Sequence, residues 1–474
     1  MKMITRNIVC VALMFAASIC FAQMYTVTDL GGLGGAFGQS YPRAGINMSG
    51  QVAGYSDVSI DPYRYHAFRT APNSPIDPAT DDLGTLGGEN SYAGNINTIG
   101  QVVGFASTPD AQTHAFRTAP NKAINPITDD LGTLGGTWSQ ALGVNDIGQV
   151  VGASNIGQTA IYRAFRTAAN SPIDSRTDDL GTLGGTYSTA WRINQFGQVV
   201  GYAAIAGDTA VHAFRTAPNS PINPATDDLG TLGGSYSEAV DVNAFGQVVG
   251  SAAIAGDITR HAFRTAPNSL INPATDDLGT LGPGFNFSEA LDIDDYGQVV
   301  GWPAFLYSNG VMHNLNDFIP AASGWEISFA TGINNTGQIV AQGRLNNSGE
   351  SRALLLTPIY KAFVQKPINA DGSRVFSAKR GVIPVKFRLM QYNEPTCPLL
   401  PATLAITKAS GGTLAEVDES VYSTHADSGS TFRIDTTACQ YVYSLAASAL
   451  GRGTYRVDIS INGIMVGHAV FALR

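Results

Sequence analysis

Residues 212–250 read HAFRTAPNSPINPATDDLGTLGGSYSEAVDVNAFGQVVG, and residues 261–301 repeat that string almost unchanged. Close copies begin at His66, His114 and, with arginine in place of histidine, Arg163. A chain written this way has to stack or close copies of one unit, because a single unit cannot bury both of its faces.

Three markers define the phase. DLG(T/G)LGG begins at Asp29, Asp82, Asp130, Asp179 and Asp228, with DLGTLGP at Asp277 and a degenerate copy from Asn314 within HNLNDFIP. The turn (N/D)xxGQ(V/I)(V/A) begins at Asn47, Asn97, Asn145, Asn194, Asn243, Asp294 and Asn334. The HAF strand lies at His66, His114, Arg163, His212 and His261, then weakens to PAFLY from Pro303 and RALLL from Arg352. The markers agree on seven units of about 49 residues, degenerate only at the end of the array.

Each unit reads as short strands separated by turns. SEAVDVN alternates and ends in asparagine, and Asn243-Ala244-Phe245-Gly246 is a compact turn. GQVVG is a short apolar strand. HAFRT is expected to put His212, Phe214 and Thr216 on one face and Ala213 and Arg215 on the other. Pro218, Pro221 and Pro224 make the next stretch a loop. Four short strands per unit match a propeller blade, and seven can close into a ring without exposed edges. A parallel β-solenoid is the competing arrangement. The fold class expected is therefore all-β: a seven-bladed β-propeller followed by a smaller β domain.

The composition agrees. Of 474 residues, 53 are glycine and 14% are charged, which suits a turn-dense β protein. The formal net charge is −9 and no basic run is present, which argues against nucleic acid and anionic membranes as partners. Residues 1–22 read as an export signal: Lys2 and Arg6, an apolar stretch Ile8 to Phe15, and small residues before a cut after Ala22. Ile19 before Cys20 does not fit a lipoprotein signal. An exported chain would carry Cys397 and Cys439, expected to form one disulfide outside the cytoplasm, in the periplasm, at the cell surface or in the medium. No stable membrane insertion is expected, and the protein is expected to be a monomer.

The array spans 23–358. Beyond Pro358 come IPVKFRL, ATLAIT, TFRIDT, YVYSLA, TYRVDISI and IMVGHAVFAL, the last two flanking Asn462-Gly463, a strong hairpin signal. At least six such strands in 359–474 suggest an immunoglobulin-like sandwich.

The HAFRT strands, the TDDLGTLGG segments and the INxxGQVVG turns together resemble the bacterial extracellular repeat proteins of the HAF type. That resemblance implies export and a propeller-like repeat fold, and implies no activity. Pro384-Val385-Lys386-Phe387 is similar to the motif of the small bacterial PxKF domain.

Candidate chemistry is sparse. Aspartate pairs recur at Asp81/Asp82, Asp129/Asp130, Asp178/Asp179, Asp227/Asp228 and Asp276/Asp277. They could line a calcium ring, but they lack the DxDxDG spacing, and turn capping explains them more simply. The histidines sit at equivalent places in separate units, too far apart for one ion. Aromatics after the glycines, Tyr92, Trp138, Tyr187, Tyr236 and Phe285 or Phe287, either wedge between units or form a ligand platform, and the first four are the candidate ligand-binding residues. No nucleophile-and-base motif, metal site or cofactor signature is present, and no catalytic residue is assigned. The expectation is an exported, non-catalytic binding or structural protein recognising an extracellular glycan or protein. The rivals are a polysaccharide-acting hydrolase or lyase with its site on one propeller face, and a cell-surface adhesion component. Specific function is expected where copies differ, around Gln112, Ile156 and Asp208 or in the last two units.

Overall fold

A computed structural model describes residues 24–35, 39–42, 45–60, 63–157, 159–346, 350–369, 372–378, 381–391, 394–397, 400–409, 426–461 and 464–474. The expected export signal and the Asn462-Gly463 turn lie outside the described residues. Among the described residues the chain is all-β, with 33 strands in seven sheets. Helix is confined to three 3-10 turns and the four-residue Ala447–Leu450.

The unit starting from Gly233 shows how the sequence makes its sheet. Gly233–Val242, Val248–Ile254 and Arg260–Arg264 pair antiparallel in order. The Asn243 Oδ1 accepts from the amides of Phe245 (3.0 Å) and Gln247 (3.1 Å), which fixes the tight turn. Gly246 takes φ 74°, and a Cβ there would meet the Asn268 side chain at 2.2 Å. A bulge falls between Ala239 and Asp241, and Gly250 opposite it is pressed against the Glu238 carbonyl.

The HAF strand is not one-faced. Ala213 and Phe214 are both fully buried, because sheets from neighbouring units cover both sides of the strand. In four units the expected fourth strand shrinks to a single bridge, as Phe263 to Asp277 and Phe214 to Asp228, whereas Asp130–Gly132, Val311–Asn314 and Tyr25–Asp29 pair as strands. The Asp277 carboxylate accepts the Gly279 amide at 2.7 Å, turning the chain before a ladder can extend.

Neighbouring units are clamped by a buried serine. The Ser237 Oγ accepts from the Ala213 amide at 2.8 Å and donates to the Gly230 carbonyl at 2.6 Å. Ser91, Ser139, Ser188 and Ser288 accept in the same way from Ala67, Ala115, Ala164 and Ala262. Ser237→Ala strands a buried donor and a buried acceptor, so urea unfolding is expected to show a loss of about 1–3 kcal/mol. An unchanged midpoint would mean that the clamp adds nothing to stability.

The same contacts join the last unit to the first. The Ala353 amide donates to the Ser40 Oγ at 2.9 Å, across 313 residues. Asn334 Nδ2 donates to the Asn47 carbonyl (3.0 Å), and Gln338 Nε2 to Asn73 Oδ1 (2.7 Å). Tyr25–Asp29 pairs antiparallel with Leu354–Pro358, so the first DLG segment completes the sheet of the last HAF-like strand.

The C-terminal residues form two further sheets. One contains Tyr360–Gln365, Val382–Gln391, Gln440–Ala446 and Arg433–Asp435, with Glu394–Thr396 off its edge. The other contains Val375–Phe376, Ile464–Leu473, Gly453–Ile461 and Ala402–Ala409. Phe387 and Tyr443 from one and Val457 and Phe471 from the other share one apolar cluster, which continues into Leu354 and Leu356 of the array. Cys397 and Cys439 stand at disulfide distance, Cα to Cα 5.4 Å. These sheets contact the turn of the sixth unit. The Arg456 guanidinium donates to the carbonyls of Asp295 and Tyr296, and Asn309 donates to Ser460.

Candidate functional site

Residues from the first sheet strands of the second to seventh units meet around one centre, joined by Tyr55 from the Ala53–Ile60 strand of the first. A cavity of about 430 Å³ opens there at the end where those strands begin. Counting from the clamp serine, the next residue faces this cavity: Tyr92, Gln140, Glu238 and Glu289, with Phe329 after Ser328. Two positions further stand Gly94, Leu142, Trp191, Val240, Leu291 and Thr331. The bulge turns one more residue of some strands inward, Arg192 among them. The scaffold is thus repeated while the lining differs from unit to unit.

The wall is asymmetric. Tyr55, Tyr92 and Phe105 of the first two units form an aromatic side, with Tyr55 edge-on to Tyr92 (5.0 Å between centroids) and Tyr92 stacked on Phe105 (5.0 Å). The fifth and sixth units contribute Glu238 and Glu289. Glu238 accepts from the Tyr236 hydroxyl at 2.9 Å.

Deeper on the same strands lie Asp241 and Asp292. Asp292 accepts the Ile333 amide at 2.7 Å, and Asp241 accepts that of Ile293 at 3.1 Å. Burial pushes the Asp292 carboxyl well above the usual carboxylate range, and the adjacent Asp241 adds to the effect. Arg192 lies near and donates to the backbone carbonyls of Leu142 and Trp191.

The opposite end of the centre is a ring of turn asparagines. Asn47 Nδ2 donates to the Asn97 carbonyl, Asn97 to Asn145, Asn145 to Asn194, Asn194 to Asn243, Asn243 to Asp294, and Asn334 back to Asn47, at 3.0–3.3 Å. Asp294 is the exception in the series. Its carboxylate accepts from Tyr296 and Gln298, including the Gln298 side-chain amide, and offers no Nδ2 donor. Burial pushes its pKa up to about 7 against those hydrogen bonds.

The residues singled out from sequence separate into groups. Tyr92 lines the cavity, while Trp138, Tyr187 and Tyr236 precede the clamp serine and stand half-buried outside its lining. Trp138 packs edge-on to Tyr162, Tyr162 packs on Tyr187, and Arg260 covers the Tyr236 ring at 4.4 Å. The histidines pair with the second aspartate of each doublet: His66, His114, His212 and His261 reach Asp82, Asp130, Asp228 and Asp277 at 2.9–3.0 Å. Arg163 faces Asp179 in the same place. The first aspartate caps a turn, as where Asp81 accepts the Asp77 amide at 2.8 Å. Glu238, Glu289, Trp191 and Arg192 were not identified from the sequence, although aligning the copies on the serine would have marked them as variable positions.

Among the described residues no group of three or more His, Cys, Asp or Glu is arranged to hold a metal ion. No described helix is long and apolar enough to cross a membrane. Neither a protein-family model nor a curated protein matches the chain.

Proposed function

We propose that the chain is an exported binding protein: a seven-bladed propeller of the HAF type, carrying an immunoglobulin-like PxKF-type sandwich, that recognises an extracellular glycan in the central cavity. The sandwich acts as the tether, since it contacts the turn end of the sixth unit and leaves the cavity end uncovered by those contacts. Recurrence of the inter-unit bonds between last and first units supports the closed ring. A cysteine pair at disulfide distance is consistent with an oxidising compartment.

The observation that carries the binding reading is the lining. Identical scaffolds present unlike residues at one position around a cavity, which is where selection for a ligand acts in a repeat fold. Aromatic faces beside carboxylates suit sugar rings and their hydroxyls. A glycan array with the mature protein should give signal on one glycan class, lost in Tyr92→Ala and Trp191→Ala variants that melt like the parent. Signal unchanged in both variants would remove the cavity from the binding site.

One observation favours hydrolysis as a second reading: Glu238 and Glu289 come from adjacent units and line the same cavity, as a pair of glycosidase carboxylates would. It predicts release of reducing ends from the bound glycan, abolished by Glu238→Gln or Glu289→Gln. Intact glycan after prolonged incubation would dismiss it.

A further inference from the structure

Two donors of the fifth unit lack the acceptors that their counterparts hold. In the first four units the turn glutamine and the arginine of the HAF strand are capped together, by consecutive residues of the next unit's proline loop. Gln51 Nε2 donates to Asn121 Oδ1 and Arg69 to the Lys122 carbonyl, both at 3.0 Å. Gln101 and Arg117 reach Asn170 and Ser171, Gln149 and Arg166 reach Asn219 and Ser220, and Gln198 and Arg215 reach Asn268 and Ser269, at 2.9–3.3 Å. The sixth unit has no such loop, because Phe305–Ser308 returns directly as Val311–Asn314 through Asn309-Gly310. Among the described residues Gln247 Nε2 therefore has no acceptor, and Arg264 donates to the Gly297 carbonyl alone while resting over the Tyr307 ring. Gly297 marks the position: a Cβ on Gly246 would meet Asn268, whereas one on Gly297 would meet Arg264 and Gln247.

A groove of about 710 Å³ runs at this position, between the fifth and sixth units and the C-terminal sheets. Gln247 and Arg264 line one side, and Lys408 and Arg456 the other. The one carboxylate among the described lining residues, Asp458, is paired with Arg456 at 2.9 Å. Asp276 and Asp294 lie near Arg264, but they accept from Asn272 and Thr275 and from Tyr296 and Gln298. Half-buried donors without acceptors cost free energy that a bound acceptor restores. The four capped units specify its form: a side-chain oxygen followed by the next backbone carbonyl, which is a piece of polypeptide. Lys408 and Arg456 favour a carboxylate over an amide at the first position, and further acidic residues beyond it.

We infer that this groove binds an acidic peptide segment. An aspartate side chain of the peptide accepts from Gln247 and the following carbonyl accepts from Arg264, in the position that a repeat loop holds in the first four units. The groove shares no lining residue with the central cavity, so the site does not depend on the glycan-binding reading.

The test is calorimetric titration of the purified full chain, at neutral pH, with the blocked hexapeptide Ala-Pro-Asp-Ser-Pro-Glu and its neutral counterpart Ala-Pro-Asn-Ser-Pro-Gln. The acidic peptide is expected to bind about tenfold more tightly, the scale of one charge-assisted contact, and its affinity should fall with added salt. Gln247→Glu keeps the oxygen that accepts from Asn243 and removes the donor, so it should lose about tenfold or more. Lys408→Ala, at an exposed position, should weaken the acidic peptide and leave the neutral one unchanged. Gln198→Glu alters a donor that Asn268 already caps and should bind like the parent. Equal affinity for the two peptides, or saturable binding of neither, would overturn the inference. So would full binding in Gln247→Glu, or the same loss in Gln198→Glu as in Gln247→Glu. Tighter binding of trigalacturonate than of the acidic peptide would overturn the peptide assignment.

Discussion

Tyr25→Ala is expected to destabilise the whole array by about 3–5 kcal/mol, the cost of deleting a fully buried aromatic side chain. Tyr25 is 2% exposed and shares an apolar cluster with Phe318, Leu354 and Leu356. It stands at the head of Tyr25–Asp29, whose partner strand lies about 330 residues away in sequence. In a closed ring that strand is the seam. Opening it exposes two sheet edges and removes the support that the first and last units give each other. The loss should therefore appear as a shift of one cooperative urea transition. Removing residues 24–30 also takes away Met24 and Leu30, both buried, and should cost most of a typical domain's stability of about 5–15 kcal/mol. A change below about 1 kcal/mol in Tyr25→Ala, or melting confined to a separate early transition, would contradict a seam.

Asp294→Asn should raise stability at neutral pH, by on the order of 1–3 kcal/mol, because it replaces a buried acidic group by the amide used elsewhere in the ring. Six of the seven turns donate an asparagine Nδ2 to the next turn, and the sixth unit cannot. The parent's pH dependence follows from the same group. The folded pKa of Asp294 is about 7, above the ordinary value of 3.8, so the folded state holds this proton more tightly than the unfolded chain. Its contribution favours folding most at low pH, declines as pH rises between those two values, and levels off above about 7. Asp292, also raised, has the same sign and extends the decline. Thermal melts from acid to neutral pH should show a shallower decline in Asp294→Asn than in the parent. An identical slope in both proteins would remove Asp294 as the source.

The turns and strands were legible because glycine, asparagine and proline each impose a local geometry. Asn243 and Gly246 make the turn that their spacing suggests, and Cys397 meets Cys439 as their number implied. The seam was harder to see. The phase contained a clue, since the chain opens on a DLG segment and no such segment follows RALLLTP. Only pairing across the whole array explains that offset. The cavity lining was hidden by grouping Tyr92 with Trp138. Both follow a glycine pair, but Tyr92 comes after the clamp serine and Trp138 before it, two residues apart along the strand. That step moves a side chain about 7 Å along the strand, from a half-buried place outside the lining to the central wall. The two-sided burial of Ala213 and Phe214 was likewise invisible to alternation, because it depends on the next unit's sheet.

Closure around a common centre is tested most directly by spin-label distances between equivalent turn positions, with Cys397 and Cys439 kept oxidised. Ser49, Ile99, Phe196 and Thr336 occupy the same exposed place in the first, second, fourth and seventh turns. A closed seven-unit ring predicts that Ser49–Thr336 matches Ser49–Ile99 and that both are shorter than Ser49–Phe196. A Ser49–Thr336 distance longer than the other two would mean that the units continue in one direction, and would contradict the ring and the cavity at its centre.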